Sequence, residues 1–501
     1  MLTYFSQFLS HEMSFVPQYQ EQVSTNYGVE HRTPKCCGVY NPHKECYPIQ
    51  VLYQDPKYTG GGCMEFVRSL SVSYTSSVCH LQLLGIHREQ LVVSTSFIDA
   101  SNIYGNSEEV ARKLRTEEGN GAKLLVDSHS SYLLLLPRDV KECRSSDRGC
   151  NNRCFIAGDT RSTLTPAISS LHTLFMREHN RLVDLLANKG WDSETLYQEV
   201  RKIIGAMFQH IVDKHYKPLI LGEHYVKEYD KPYFEYDDTI NPTTYNSFTA
   251  AAFRLHSMVH DWIKRKDVPV EGAPNLVHDY FRQDEYCDLS TDPVTRVLIG
   301  ITQQRAQKVG YYFAHDMRHY LFSSSRNVLG HDILATDIQR GRDHGLPGYV
   351  KWREWCKLKP VTNIEELYSE MLYGAVEKLQ MIYRHIEDID LIVGGLIERH
   401  VPGGLVGPTF ACLIARQFKT MKYGDRFWYE HLNFPGAFTQ AQLNEIKKTT
   451  LAALICRNTD EQYIQRDVFR PVGNNNPLQP CQVINAEAQL DLSHWGALIL
   501  Y

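Results

Sequence analysis

The amino-acid sequence predicts a mainly α-helical fold with few short strands, stapled by disulfide bonds. Three observations lead to this prediction: apolar residues recur at helical spacing in several long segments, strand-like alternation is scarce, and the chain carries 13 cysteines. We find no internal repeat, low-complexity tract or long linker among the 501 residues. The sequence therefore predicts a single domain spanning residues 1–501.

Five segments carry the helical periodicity. The clearest covers residues 168–186, where Leu171, Leu174 and other apolar residues recur on one face. Thr165 and Pro166 precede it as an N-cap and a first-turn residue. The same spacing predicts helices over residues 197–215, 248–263, 364–383 and 440–454.

The cysteines stand mostly in polar, turn-rich contexts, and residues 32–63 are rich in proline, glycine and cysteine. This pattern favours an irregular loop region tied by disulfides, and it favours an oxidising compartment over the alternative of reduced cytosolic thiols. An odd count leaves at least one free or intermolecular thiol. We therefore expect an extracellular protein.

Composition argues against several other classes of protein. Apolar residues make up 43% and charged residues 22%, and the net charge of −5 favours neither nucleic-acid binding nor a membrane surface. The best apolar run, residues 132–137, is too short to span a membrane. Residues 1–13 lack the basic start of a signal peptide, and no Asn-x-Ser/Thr sequon is present. We expect that the sequence begins downstream of the true N-terminus.

The commonest catalytic motifs are missing from the sequence. It contains no Gly-x-Ser-x-Gly elbow, phosphate-binding loop or dinucleotide-binding glycine pattern. A zinc protease helix starting at His11 would need its second histidine where Phe15 stands. These observations argue against a serine hydrolase, a nucleotide-dependent enzyme and a metalloprotease.

Three other groupings suggest chemistry. Gln7 and His11 lie four residues apart and so share one face of a helical stretch. Arg161 stands in a turn just before a capped helix. An alternating set of oxygen side chains suits Ca²⁺, although such a pattern more often forms an Asx turn. Its members are Thr95, Asp99 and Ser101.

Several longer runs accompany these groupings in a fixed order along the chain. They read Gln-x-x-x-His at 7–11, Cys-Tyr-Pro at 46–48, Arg-Glu-Gln at 88–90, Thr-Ser-Phe-Ile-Asp-Ala-Ser-Asn-Ile-Tyr-Gly at 95–105, Ala-Gly-Asp-Thr-Arg-Ser at 157–162, His-Thr-Leu-Phe-Met-Arg-Glu-His-Asn-Arg-Leu at 172–182, Gln-Arg-Gly-Arg-Asp-His-Gly-Leu-Pro-Gly-Tyr at 339–349 and Gly-Asp-Arg-Phe-Trp-Tyr-Glu at 424–430. Together they resemble the animal-type haem peroxidases, the family of myeloperoxidase, lactoperoxidase and peroxidasin. The resemblance covers essentially the whole chain.

The resemblance implies a haem b cofactor and a site that cleaves hydrogen peroxide. His11 is similar to the family's distal base, which takes a proton from peroxide and returns it to the leaving oxygen. Arg161 would stabilise the negative charge on that oxygen, and Gln7 would order water or a halide. The implied reaction oxidises small, phenolic donors through a ferryl intermediate and belongs to the response to oxidative stress; protein tyrosines are candidate donors.

The resemblance also implies a Ca²⁺ ion that ties the distal helix to a loop and so fixes the distal histidine. The implied ligands are Thr95, the carbonyl of Phe97, Asp99, Ser101 and Glu12. The last position is usually aspartate in the family, so glutamate keeps the oxygen donor on a side chain one methylene longer.

The proximal side departs from the family pattern. The segment Ala-Phe-Arg-Leu-His lacks the glycine that precedes the family's iron-ligating histidine, which leaves His256 as the expected ligand and His260 as the alternative. Arg254 and Arg353 resemble the arginines that pair with the haem propionates. Val350 stands where the family has an asparagine that accepts the ligand's N–H. We expect a backbone carbonyl or water to replace it, or the iron to be tuned differently.

Three further positions predict haem that is held without covalent bonds. The family's ester-forming carboxylates fall at Ser10 and Leu164, and the methionine of the sulfonium link in myeloperoxidase falls at Thr165. Because covalent links distort the macrocycle, and distortion tunes the iron, we expect a weaker oxidant that accepts phenols, iodide or tyrosine but not chloride.

The cysteine positions match the family's disulfides. The implied pairs are Cys143–Cys154, Cys356–Cys412 and Cys456–Cys481. Cys46 and Cys63 are expected to pair with Cys36 and Cys37 in an order that stays open. The cysteines without an assigned partner are Cys79, Cys150 and Cys287.

Two alternatives stand beside a secreted, calcium-containing haem peroxidase. A lipid dioxygenase of the cyclooxygenase-like branch would need a radical-carrying tyrosine beside the proximal histidine, and the segment from Phe253 to Ser257 has none. A catalytically weakened binding or adhesion protein on a peroxidase fold would fit the shortened proximal motif. The intact His11 and Arg161 oppose that alternative.

Overall fold

Helices build most of the protein in a computed structural model that describes residues 1–25, 28–58, 61–72, 88–116, 121–127, 134–143, 153–229, 232–233, 235–288 and 290–496. The α-helices are Leu2–Met13, Ser101–Tyr104, Glu108–Lys113, Pro166–Leu186, Ser193–His210, Lys217–Tyr229, Pro293–Gln303, His315–His319, Ile333–Asp343, Tyr349–Trp355, Ala375–Ile382, Leu391–Ile397, Pro408–Tyr423, Gln440–Ile446, Leu451–Asn458 and Cys481–Glu487. Shorter 3-10 and π-helical turns are Ala187–Lys189, Ile211–Tyr216, Phe248–Ala252, His256–Met258, Val270–Gly272, Leu276–His278, Asp284–Tyr286, Ile364–Ser369, Ile386–Asp388 and Leu492–His494.

The strands form separate antiparallel pairs rather than a central sheet. The pairs are Glu21–Thr25 with Gly28–Arg32, Ile49–Val51 with Gly62–Met64, Arg138–Glu142 with Arg153–Phe155, and Tyr463–Gln465 with Leu478–Pro480. The mainly helical fold with few short strands is therefore confirmed.

The helix Pro166–Leu186 lies at the centre of the core. Thr165 stands at the predicted N-cap position and Pro166 in the first turn, but the hydroxyl of Thr165 makes no capping hydrogen bond to the helix. Most of its side chains are buried, and a fully buried large apolar side chain stabilises a fold by about 1.5–3 kcal/mol. It packs against the helices Leu2–Met13, Ser193–His210, Pro293–Gln303 and Leu451–Asn458.

The helix Leu2–Met13, called the distal helix below, is fixed by its aromatic face. The ring of Phe8 stacks on Phe175 with 5.5 Å between ring centroids. Phe5 is fully buried beside it and meets Phe208 edge-on. Because this face lies in the core, another face of the distal helix is left to line a cavity.

The helix predicted over residues 364–383 is interrupted. A 3-10 turn ends at Ser369, and an α-helix starts only at Ala375. Gly374 between them has a φ of 73°, a left-handed conformation that glycine adopts without strain and that an α-helix cannot include.

The helix predicted over residues 440–454 is also divided. Its first part ends at Ile446, and a second helix begins at Leu451. Thr450 starts that second helix as an N-cap whose hydroxyl accepts the N–H of Ala453. The helix predicted over residues 197–215 is confirmed, with an earlier start and a π-helical end.

The continuous helix predicted over residues 248–263 is wrong. Only short π-helical and 3-10 turns form there, and Leu255 has a non-helical ψ of 41°. The side chains of Arg254 and His256 both bond to Asp337 on another helix. Contacts with the rest of the fold thus override the apolar spacing of the segment.

The disulfides follow the implied framework. The implied pairs Cys143–Cys154, Cys356–Cys412 and Cys456–Cys481 are all present. The open order resolves as Cys36–Cys46 and Cys37–Cys63, and Cys287 is also disulfide-bonded. Cys79 and Cys150 lie outside the described residues. Within the described part of the chain, no helix is long and apolar enough to cross a membrane.

Candidate active site

A large cavity opens between the distal helix and the segment that carries His256. Its volume is about 1680 Å³, beyond the roughly 300–1000 Å³ usual for small-molecule pockets. Apolar side chains including Leu276, Met317 and Ile333 form part of its wall. The cavity is therefore large enough for a bulky apolar cofactor together with a small substrate.

Hydrogen bonds fix Arg161 at the C-terminal end of the distal helix. Its guanidinium donates to both oxygens of Asp159, at 2.9 Å from Nε and 2.6 Å from Nη2. It also donates to the backbone carbonyls of His11 (3.0 Å) and Ser14 (3.1 Å). The guanidinium lies over the ring of Phe15, 4.4 Å from its centroid. These contacts hold a positive charge at the cavity wall beside His11.

His11 is a buried, neutral imidazole at the same wall. Burial lowers its pKa well below the usual range, and the charge of Arg161 lowers the pKa further, against a smaller opposing effect of Asp159. Its Nδ1 has no hydrogen-bond partner among the described residues, since Asp159 lies 4.0 Å away. A neutral histidine with unused hydrogen-bonding capacity at a cavity can act as a proton acceptor.

The remaining distal positions also line the cavity. They are Gln7, Ser10, Leu164 and Thr165. The structure therefore brings together the polar distal residues predicted from the sequence and the positions where the family's covalent haem links would form. None of these four side chains carries a carboxylate.

His256 lines the cavity with its Nδ1 turned away from it. That nitrogen lies 2.6 Å from Oδ2 of Asp337, and Arg254 donates to the other oxygen of Asp337 at 2.8 Å. Burial tends to raise the pKa of Asp337, but the charges of His256 and Arg254 outweigh it and lower that pKa below its usual value. Asp337 is paired with the guanidinium of Arg254, so its carboxylate accepts hydrogen bonds and the Nδ1–H of His256 donates to it, which leaves Nε2 as the ring nitrogen for another partner.

The alternative ligand is less suitable. Nε2 of His260 lies 2.6 Å from the carbonyl of Arg305, so that nitrogen is already engaged. Within the described residues the structure brings His256, rather than His260, to the cavity wall. Asp337 also supplies the acceptor that Val350 cannot, in place of the expected backbone carbonyl or water.

The prediction for Arg353 needs correction, because this side chain lies in a separate buried ion-pair cluster. Its guanidinium donates to Glu398 and Glu370, each at 2.9 Å, and to the hydroxyl of Tyr349 at 3.1 Å. These partners satisfy the charge away from the cavity. The helix Tyr349–Trp355 turns the arginine toward them.

Arg340 lines the cavity instead and was missed from the sequence. Its Nη1 donates to Ser69 Oγ at 2.9 Å and to Asp343 at 3.2 Å. Burial lowers the pKa of Arg340 to about 10, and the nearby charge of Arg254 adds to this effect. Arg254 is paired with Asp337 and Arg340 with Asp343, and both arginines also line the cavity, where an anionic group can contact them. Helical spacing from Ile333 places both missed residues, Asp337 and Arg340, on one face, which is the signal that could have identified them.

The predicted calcium ligands form one cluster of oxygen atoms. The hydroxyl of Thr95 lies 3.3 Å from the carbonyl of Phe97, 3.1 Å from Asp99 Oδ1 and 3.3 Å from Ser101 Oγ. Ser101 Oγ lies 3.4 Å from a carboxylate oxygen of Glu12. Oxygens that share a Ca²⁺ at 2.3–2.6 Å lie roughly 3 Å from one another. The spacing therefore fits that ion.

The carboxylate of Glu12 joins the distal helix to the loop. It accepts the backbone N–H groups of Asp99, Ala100 and Asn102 at 2.6–2.8 Å. Burial raises the pKa of Glu12 well above its usual value, and the charge of Asp99 raises it further. Among the described residues, no group of three or more His, Cys, Asp or Glu side chains is placed to hold a metal. The cluster has only two carboxylates and relies on hydroxyl and carbonyl oxygens.

Comparisons with known proteins identify the family of the chain. Residues 1–469 match the animal haem peroxidase family. Thyroid peroxidase of Mus musculus is 34% identical over 514 residues, which cover 99% of this chain and 54% of that protein. A peroxidasin homolog of Mus musculus is 34% identical over 510 residues, with 99% of this chain and 34% of that protein covered.

Solved structures give the same result. Peroxidase A from Dictyostelium discoideum has a TM-score of 0.75 and 28% identity, and the match covers 94% of this chain and 86% of that one. Oryza sativa fatty acid alpha-dioxygenase, at 18% identity and a TM-score of 0.65, shares the fold. The chain spans about half the length of thyroid peroxidase and about a third of the peroxidasin homolog. It belongs to the animal haem peroxidase family.

Proposed function

We propose that the chain is the peroxidase domain of a secreted enzyme that reduces hydrogen peroxide and oxidises small aromatic donors. The observation that carries the proposal is one cavity lined by His11 and Arg161 on the distal side and by His256 on another wall. The three groups supply a neutral base, a fixed positive charge and an imidazole of defined tautomer. A peroxidase site needs these functions.

Haem b would be held in this cavity without covalent links. His256 would ligate the iron, and Arg254 and Arg340 would pair with the propionates. Ser10 and Leu164 offer no carboxylate for an ester bond. Haem, when bound, supplies the iron that accepts the peroxide and the oxidising equivalents that pass to the donor.

The distal residues would handle the proton and the developing charge. His11 accepts a proton from one peroxide oxygen and delivers it to the other oxygen, which departs as water. Arg161 stabilises the negative charge that grows on the departing oxygen, and Asp159 keeps the guanidinium in place. Gln7 orders water or a halide beside His11.

A Ca²⁺ ion would occupy the oxygen cluster next to the distal helix. The mutual spacing of the oxygens and the two neighbouring carboxylates of Glu12 and Asp99 support this proposal. The ion would remove the repulsion between those carboxylates. It would thereby fix the helix end that carries His11.

Phenols, iodide and protein tyrosines are the donors we propose, and chloride is expected to be poor. The disulfide framework and the similarity to peroxidasin and thyroid peroxidase support secretion and small reducing donors. The alternative of a binding or adhesion protein is not favoured, because the distal base, the cation and the proximal histidine are all brought to one cavity.

Haem reconstitution followed by peroxide-dependent oxidation of a phenol tests the proposal. The wild-type chain should show a histidine-ligated Soret band and turn over, and His256→Ala should lose that band. His11→Ala should keep its haem but lose about 10²–10⁴-fold in rate, because a positioned acid–base group is removed. His260→Ala is the matched control and should resemble wild type. Haem binding without turnover in the wild-type chain would instead support the binding-protein alternative.

A further inference from the structure

The buried carboxylate of Asp337 is hydrogen-bonded to His256, the expected iron ligand. The side chain of Asp337 is 1% exposed, whereas that of His256 is 30% exposed. One carboxylate oxygen lies 2.6 Å from Nδ1 of His256, and the other accepts from Arg254 at 2.8 Å. Since both oxygens are engaged, the carboxylate has one orientation.

The backbone on both sides of this contact explains how it forms. On a regular helix, residues two apart such as Arg254 and His256 would point about 200° apart. The non-helical geometry around Leu255 turns both side chains toward Asp337. Asp337 itself is held in the helix Ile333–Asp343, which is capped by Asp332. The shortened proximal segment therefore still fixes the orientation of the His256 side chain.

We propose that Asp337 is the positioning residue of the proximal side, which holds His256 in its Nδ1–H tautomer and leaves Nε2 to ligate the haem iron. This inference rests on the proposed haem peroxidase function. The carboxylate takes over the role that the family assigns to an asparagine at the position of Val350. The acceptor has thereby moved from one helix to another and changed from a neutral amide to an anion.

An anionic acceptor has an electronic consequence that a neutral amide lacks. A hydrogen bond to an ionised group is roughly twice as strong as one between neutral groups, and it raises the basicity of the ligating imidazole. With haem bound, a more basic imidazole would stabilise ferric iron over ferrous iron, so Asp337 would lower the reduction potential of the iron. The missing covalent links are also expected to lower this potential, so both effects favour poor chloride oxidation.

Three variants separate this role from a purely structural one. Asp337→Asn keeps an acceptor but removes the charge, and Asp337→Leu removes both. Asp332→Asn is the matched control, because it removes a carboxylate from the same helix and keeps an N-cap residue. Thermal unfolding of each variant reports any structural loss separately.

The first readout needs no haem. NMR of haem-free protein labelled with ¹⁵N-histidine should show the Nδ1–H tautomer of His256 in wild type and in Asp332→Asn. The signal that disappears in His256→Ala identifies the resonances of this histidine. Asp337→Leu should lose this preference. If that variant does not fold, Asp337→Asn still serves in the second readout. An unchanged tautomer in folded Asp337→Leu would overturn the inference whatever the outcome of haem binding.

The second readout uses the haem-loaded protein. The Fe(III)/Fe(II) midpoint potential should rise and the iron–histidine stretching frequency should fall in Asp337→Asn, and neither should change in Asp332→Asn. Asp337→Leu should weaken haem binding about 10–100-fold. If Asp337→Asn lowers stability but leaves the potential and the stretching frequency at wild-type values, Asp337 only pairs with Arg254 and the inference is wrong. A wild-type chain that binds no haem would contradict the proposed function, while the haem-free tautomer would still test Asp337.

Discussion

Replacing Asp159 with asparagine tests how the distal arginine is held. Although burial tends to raise the pKa of Asp159, the charge and hydrogen bonds of Arg161 lower it from 3.8 to about 2. Each pKa unit corresponds to about 1.4 kcal/mol, so the ionised carboxylate stabilises the fold by about 2.5 kcal/mol above pH 5. Because the folded pKa is the lower one, this stability is present above the unfolded pKa and is lost as the pH falls through about 2. About half of it should remain at pH 3.

Urea unfolding of haem-free wild type and Asp159→Asn at pH 7, 5 and 3 measures this contribution. The difference in the free energy of unfolding should be about 2.5 kcal/mol at pH 7 and 5 and about half as large at pH 3. In an Arg161→Gln background the same substitution should cost little, because the carboxylate has then lost its cation. A difference that is absent at pH 7, or that stays constant down to pH 3, would refute the reasoning.

The other predictions concern the cofactor and the metal. Elemental analysis should find one Ca²⁺ per chain in wild type and none in Asp99→Ala. Ca²⁺ at 100 times its Kd should raise the free energy of unfolding of wild type by about 2.7 kcal/mol. Folded wild type without calcium would count against the site. Arg340→Ala should weaken haem binding. Arg353→Ala should instead destabilise the fold by about 3–5 kcal/mol, because it leaves the buried carboxylate of Glu398 without its cation, and the folded fraction should bind haem normally. The reverse pattern would restore the original assignment of Arg353. Acid–acetone extraction should release all the haem, and haem retained on the denatured chain would disprove non-covalent binding.

The distal half of the site could be predicted from the sequence because its groups occur in short motifs. Gln7 and His11 lie within one helix, so their relative position is encoded locally, whereas the contact between Arg161 and His11 spans 150 residues and follows from the sequence only through the resemblance to the family. The proximal half depends on contacts between distant segments. The partner of His256 lies 81 residues away; helical spacing places Asp337 and Arg340 on one face of their helix, but it does not show that this face meets His256.

The errors have a similar cause. The apolar spacing of residues 248–263 is helical, but the hydrogen bonds of Arg254 and His256 to Asp337 hold the backbone in another geometry. Arg353 has the family position, but its guanidinium pairs with Glu398 and Glu370 and does not line the cavity. Secondary structure and charge placement are both decided here by partners that local sequence does not show.

The separation of the site residues in sequence has a consequence for assembly. The carbonyl of His11 and the guanidinium of Arg161 meet across 150 residues, and the proximal pair closes a second long loop. Contacts of this kind form late, because a chain must lose much of its freedom before they contribute. A fragment that stops before Asp337 would contain His11, Arg161 and His256 but lack the carboxylate that we propose to orient His256. Tight retention of haem would therefore report that both long-range contacts have formed, and a chain cut before Asp337 should hold haem more weakly than the intact chain.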